Sequence, residues 1–146
     1  MSETTHFKPA RAESLGLITN YRCTFRCRHC LYGSSPNVRE VPDDDRLAQL
    51  IAQIDRVLGR VPLHIGGGEP LLHFDRIERL VEGIGCSRVF LEYVETNGSP
   101  LVNRTEEKIR RLQAAGLRCL LVSISPFHQE FISLNNLVRL SQAVVR

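Results

Sequence analysis

Val61-Pro62-Leu63-His64-Ile65-Gly66-Gly67-Gly68-Glu69-Pro70 decides how this chain folds. An apolar run of strand length ends abruptly in three glycines, and Pro62 fits only at its start, where a missing N–H donor matters least. Before it, Asp43 or Asp44 can cap a helix in which Leu47, Leu50, Ile51, Ile54, Val57 and Leu58 recur on one face, with Gly59 as the stop. After it, Ile77, Leu80, Val81 and Ile84 repeat at helical spacing and end near Gly83 or Gly85. A strand between two helices is a β/α unit.

Working outward, the unit repeats. Val89 to Val94 predicts a strand closing in Glu95-Thr96-Asn97-Gly98. Asn103 with Glu106 three residues on predicts a capping box, opening a helix with Ile109, Leu112 and Ala115 inward and Gly116 beyond its end. Cys119 to Ile124 is nearly all apolar, which predicts a strand buried on both faces; it runs into Ser125-Pro126-Phe127-His128. A last helical pattern starts near Ser133 and carries Leu134, Leu137, Val138 and Ala143. Toward the amino terminus, Leu15 to Thr19 reads as a short strand despite Gly16, residues 32–42 as an irregular connection, and residues 1–14 as a polar segment.

Four β-loop-α repeats with short loops make an α/β fold: parallel strands, right-handed crossovers, helices outside. The pattern matches the first four units of a partial TIM-like barrel over residues 15–146. A complete barrel needs roughly 250 residues, so the chain reads as an amino-terminal part. Strand four then leaves an apolar edge that another segment, a second copy or a partner must cover. Each strand also ends in unusual residues: cysteines, glycines with a glutamate, Asn-Gly, and Ser-Pro-Phe-His. All four sets fall on the carboxyl rim, where parallel β/α folds bind ligands.

Composition narrows the class. The 42% apolar and 24% charged content suit a soluble globular domain, and a formal charge of +3 with dispersed basic residues does not indicate nucleic acid. No run is long and apolar enough for a membrane span, and the first residues lack the apolar core of a secretory signal. Five cysteines, three of them crowded, point to metal chemistry in the cytoplasm rather than a disulfide framework.

Those three are Cys23, Cys27 and Cys30. By residue type and spacing they are compatible with zinc completed by His29 or His6, with an iron–sulfur cluster held by three thiolates, or with unliganded redox thiols. Three thiolates on a cubane leave one iron open to an exogenous ligand. Cys86 and Cys119 read as small buried structural residues.

Cys23, Cys27 and Cys30 form a CxxxCxxC pattern, and Gly66-Gly67-Gly68-Glu69-Pro70 follows one β/α unit later. Together they resemble the signature and GGEP segment of the radical S-adenosylmethionine (radical SAM) enzymes, over residues 15 to about 132. The resemblance implies a [4Fe–4S] cluster on the three cysteines and S-adenosyl-L-methionine chelated to the fourth iron. It further implies that an electron from a reductant such as flavodoxin or ferredoxin cleaves the cofactor to methionine and a 5′-deoxyadenosyl radical. The radical would take hydrogen from an unidentified substrate, for which family frequency alone suggests a peptide. Cofactor contacts are expected from His29 at the adenine edge, in a position usually aromatic. The carbonyl groups of Gly66, Gly67 and Gly68, with the Glu69 carboxylate, would face the methionyl ammonium, and Pro70 would stiffen the turn. Thr96, Asn97, Ser123 and Ser125 would serve the ribose or methionyl carboxylate, with Glu95 as a further polar contact. The strands that carry the remaining contacts in the family are not in this sequence. Two readings therefore stand beside the enzyme: an iron–sulfur electron-transfer or accessory module, and a structural zinc module. His128 has either a substrate-side or a packing role, Tyr32 either shields the cluster or packs, and His64 and His73 read as structural or solvated.

Overall fold

The computed structural model describes residues 13–39 and 41–144; nearly all of the expected polar segment 1–14 lies outside them. Four strands, β1 (Leu15–Ile18), β2 (Pro62–Gly66), β3 (Phe90–Thr96) and β4 (Leu120–Val122), alternate with four helices. These are α1 (Asp44–Leu58), α2 (Phe74–Gly85), α3 (Thr105–Ala114) and α4 (Leu134–Val144). The strands lie in sequence order, and each pairs with the next in parallel. Pro62 opens β2, as its missing donor requires.

One continuous core joins Leu17, Leu63, Ile65 and Val94 of the sheet to Ile51 of α1, Ile77 and Ile84 of α2, Leu112 of α3 and Leu140 of α4. The period-2 and period-3.6 patterns meet on that face, and burial of these side chains drives the layer together. Between β2 and β3 the register slips: Leu63 pairs with Leu91 but His64 with Tyr93. The extra residue is a bulge. On the other face His64 stacks on Tyr93, with centroids 5.0 Å apart. A Cβ at Gly16 would sit 2.9 Å from His64 Nε2, which explains a glycine inside a strand.

The α1 cap is as expected: Asp43 Oδ1 accepts from the Asp45 N–H at 3.1 Å, and Gly59 turns left-handed at φ 64°. Several expectations need correction. No capping box forms at Asn103 and Glu106. The chain leaves the 3₁₀ turn at Ser99–Leu101, passes Arg104 at φ 59°, and starts α3 at Thr105, whose hydroxyl donates to the Leu101 carbonyl at 2.6 Å. The helix start is thus set by the preceding turn. β4 is short and not buried on both faces. Leu121 is 45% and Ile124 59% exposed, because no fifth strand pairs beyond them among the described residues. Leu50, Val57 and Leu58 of α1 are exposed, since only α2 flanks that end helix; on α4, Leu137 and Leu140 face inward while Leu134 and Val138 are exposed. Cys86 and Cys119 are exposed, one just past α2 and the other before the short β4. Among the described residues no helix is long and apolar enough to cross a membrane.

Candidate functional site

Six polar residues are buried among those described: Thr19, Asn20, Ser34, Glu69, Thr96 and Asn97. All but Ser34 lie at or just beyond the carboxyl ends of β1, β2 and β3, and Ser34 lies further along the connection that follows β1. Buried polar groups need partners, so the rim must be a hydrogen-bonded construction.

Its frame is the contact between the β2 loop and the start of the cysteine loop. The Gly68 N–H donates to the Asn20 carbonyl and the Glu69 N–H to the Arg22 carbonyl, both at 2.8 Å. A Cβ at Gly67 would fall 2.4 Å from the Asn20 oxygen, and one at Gly68 2.2 Å from the Arg22 oxygen. Backbone packing on backbone therefore demands glycine at both positions. Gly66 ends β2, and its carbonyl accepts from the Thr19 N–H at 3.1 Å.

Glu69 does not face the opening, contrary to the expectation for its carboxylate. It is 0% exposed. Oε1 accepts from the Leu71 N–H at 3.0 Å and the Thr96 hydroxyl at 2.8 Å, and Oε2 from the Asn97 N–H at 2.7 Å. It ties the β2 loop to the end of β3. Burial pushes its carboxyl up to about 7, although three donors pull the other way. Pro70, also buried, opens the 3₁₀ turn behind it.

In front of this frame, Cys23, Cys27 and Cys30 line one cavity of about 220 Å³ with His29, Gly67, Gly68, Thr96, Asn97 and Ser123. Glu95, His128, Phe25, Leu31, Tyr32 and Ser34 complete its wall. Cys23 Sγ accepts from the Phe25 N–H at 3.3 Å and from Asn97 Nδ2 at 3.5 Å. Burial, with the neighbouring thiols next, holds Cys27 above its ordinary pKa; burial also raises Cys23. Phe25 anchors the loop in a small second core with Ile132 and Leu137, against which Cys23 and Cys27 pack.

The remaining expected contacts divide. Asn97 is fully used inside the frame: Nδ2 donates to Thr24 Oγ1 at 3.0 Å as well as to Cys23, and Oδ1 accepts from the Ser99 N–H at 2.9 Å. Thr96 is likewise committed to Glu69. Ser123 Oγ donates to Glu95 Oε1 at 2.9 Å, which leaves Glu95 Oε2 free beside Gly66. Ser125 stands back from the cavity and pairs with His128 Nδ1 at 2.8 Å. His128 is on the cavity wall, and burial followed by the nearby His29 lowers its pKa. His29 stacks on Phe127 at 4.6 Å. Tyr32 is on the wall, 6.1 Å from Tyr21. His73 precedes α2 with its Nε2 buried and unpartnered. His6, the other histidine considered for zinc, lies outside the described residues. Sequence reasoning missed Ser34 and the Thr24–Ser99 hydroxyl pair at 2.7 Å; neither belongs to a motif, and only the fold brings them to the rim.

A larger groove, about 410 Å³, lies between α1 and α2. It has an apolar floor and an Asp and Arg margin, with no thiol and no strand end. The thiols and the strand ends are at the smaller cavity.

A family model described as the Radical SAM superfamily matches residues 17–142. The GTP 3′,8-cyclase of Microcystis aeruginosa is 31% identical over 107 residues, covering 70% of this chain and 31% of that protein. The chain thus spans about a third of the length of this curated relative. Among solved structures, native anSMEcpe with bound AdoMet aligns at a TM-score of 0.66 and 18% identity, over 90% of this chain and 40% of that one. BtrN in complex with AdoMet and 2-DOIA aligns at 0.61 and 18% identity, over 85% and 53%. At these identities the structural likeness establishes the fold, a partial barrel of β/α units.

Proposed function

Because the chain belongs to the radical SAM superfamily, whose members bind a [4Fe–4S] cluster and S-adenosyl-L-methionine, we propose that residues 15–146 form a cofactor-binding unit. Cys23, Cys27 and Cys30 hold the cluster, and S-adenosyl-L-methionine binds beside it. One observation carries this reading: three half-buried thiols share a strand-end cavity with Gly67 and Gly68. The carbonyl oxygens of those glycines accept no hydrogen bond among the described residues.

The residues present fit both groups. Three thiols around one cavity suit a cluster with a separate iron for each thiolate. The Phe25 N–H and Asn97 Nδ2 direct donors at the Cys23 sulfur and support its thiolate form. Free carbonyl oxygens at Gly67 and Gly68, with Glu95 Oε2 nearby, suit an ammonium group. His29 and His128 offer ring faces and nitrogens on the opposite wall for an adenosyl group.

When bound, the two groups supply one-electron cleavage of the sulfonium C5′–S bond and hydrogen abstraction by the resulting 5′-deoxyadenosyl radical. The chain supplies the rest. Glu69 and the glycines fix the β2 loop, Asn97 links the end of β3 to the cysteine loop, and buried Phe25 keeps water from the side on which Cys23 and Cys27 pack. The electron comes from a flavodoxin- or ferredoxin-like donor. A cytoplasmic setting, where thiols stay reduced, suits five free cysteines.

Anaerobic reconstitution followed by incubation with S-adenosyl-L-methionine and a strong reductant tests this. Equal iron and sulfide, with formation of 5′-deoxyadenosine, is the expected result. Iron and sulfide without the nucleoside would reduce the protein to an electron-transfer or accessory module. Zinc without sulfide would make it a structural zinc protein.

A further inference from the structure

We propose that Ser34 donates a hydrogen bond from its hydroxyl to a sulfur of the cluster, on the Cys30 side, and thereby raises the cluster's reduction potential; this rests on the cluster reading above. Ser34 is 5% exposed and lines the cavity with the three thiols. Its Oγ has no hydrogen-bond partner among the described residues. A buried hydroxyl left unpaired is costly, because it gives up its bonds to water without replacing them. Of the six buried polar residues on the rim, Ser34 alone both faces the cavity and has a side chain with no partner. The unpartnered Oδ1 of Asn20 belongs to a residue outside the cavity wall.

Local geometry holds the hydroxyl in place. The Gly33 N–H donates to the Cys30 carbonyl at 3.2 Å with Gly33 at φ 59°, turning the chain back just before Ser34. On the other side the Cys23 N–H donates to the Ser35 carbonyl at 3.2 Å. Ser34 is thus clamped between the backbones of two of the thiol-bearing residues. The distribution of donors and the turn together pick the target. Cys23 Sγ already receives two, whereas the Cys27 and Cys30 sulfurs receive none among the described residues. Of these two it is Cys30 whose carbonyl takes the Gly33 N–H next to Ser34. A hydroxyl facing a sulfur-rich group is a donor facing acceptors. Such a bond favours the more negative, reduced cluster, and hydrogen bonds to sulfur are among the determinants of cluster potential.

The test is an EPR-monitored redox titration of anaerobically reconstituted wild-type, Ser34→Ala and Ser34→Thr proteins. In Ser34→Ala the ratio of reduced to oxidised cluster at a fixed potential should fall about tenfold, ~59 mV for a one-electron couple. Ser34→Thr should stay near wild type. The signal comes only from loaded protein, so incomplete assembly does not distort the potential. Iron uptake lost in Ser34→Ala but kept in Ser34→Thr would also support the hydroxyl's role. Equal potentials in all three proteins would overturn the assignment, as would loss of iron in both variants, which would mark a packing role. Wild-type protein that takes up no iron and sulfide would instead overturn the cluster reading, and this proposal with it.

Discussion

The two loops that build the rim are held in opposite ways. The Gly66–Pro70 loop is knitted by backbone and carboxylate hydrogen bonds and is largely buried; its Glu69 reaches both Thr96 and Asn97. The cysteine loop has half-exposed thiols, and Leu31 at 97% exposure follows them directly. Its attachments are mostly side chains reaching out from the loop: Thr24 to Ser99 and Asn97, Arg28 to Glu130, His29 stacked on Phe127, and Phe25 in the small second core. Beside these stand the two backbone bonds to the glycine loop and the Ser35 contact. One loop is finished by the fold. The other is left for a metal centre to finish, as expected where binding free energy contributes to folding.

That contrast is breakable at named residues. The largest effect should come from Cys27→Ala: iron and sulfide uptake lost, and 5′-deoxyadenosine at background under conditions where wild type forms it. Product formation at the wild-type rate would sink the proposed chemistry. Next is Gly68→Ala, where the new methyl meets the Arg22 carbonyl. Overpacking against backbone should cost roughly 3 kcal/mol in denaturant unfolding. A smaller loss, below ~1 kcal/mol, would show that the joint yields.

Glu69→Gln comes third. It places an amide N–H where Oε2 or Oε1 now accepts, at about 2 kcal/mol, and it also alters the pH profile. With its carboxyl near 7 when folded and 4.5 when free, Glu69 keeps its proton in the native state across that window. The unfolded chain binds fewer protons there, so its contribution is full below 4.5 and is lost as pH rises through about 7. Wild-type stability should decline over that interval by roughly 3 kcal/mol more than that of Glu69→Gln. Parallel profiles would mean the carboxylate is ionised throughout. The smallest effect closes the comparison. Cys27→Ala, decisive for iron, should change the unfolding free energy of the metal-free protein by only about 0.5 kcal/mol; a loss several times larger would show that the thiol loop is part of the frame after all.

Fold and site were legible to different depths. The run from Val61 to Pro70 displays its strand, its break and the two flanking helices openly, because period and glycine placement are local properties. The parallel order and the convergence of the strand ends follow from that repetition. The site was legible at the thiols, whose spacing is chemical information in itself. It was not legible at Glu69 or Asn97. A carboxylate beside three glycines reads as a ligand group, and only the third dimension shows that Thr96 and the Asn97 N–H are waiting for it. Asn103 and Glu106 mislead in the reverse sense: the sequence matches a capping box, but Gly98 at φ 81° and the turn after it bring the chain into α3 from another direction. β4 misleads because an apolar run records the burial a strand is suited to, and burial also requires a neighbour.

The anchorage of Phe25 against Ile132 and Leu137 has a consequence for the order in which the protein is made. The thiol loop leaves the ribosome well before its seat, which comes about a hundred residues later; Cys27 and Phe127, which meet in the folded chain, are 100 apart. At roughly 5–20 residues per second, that interval lasts on the order of ten seconds. Until then the nascent thiols have no second core to rest on. Protease trimming of stalled chains should cut the loop freely when they end before Ile132 and spare it once α4 has emerged. Cluster delivery would accordingly follow the fourth β/α unit and not the first.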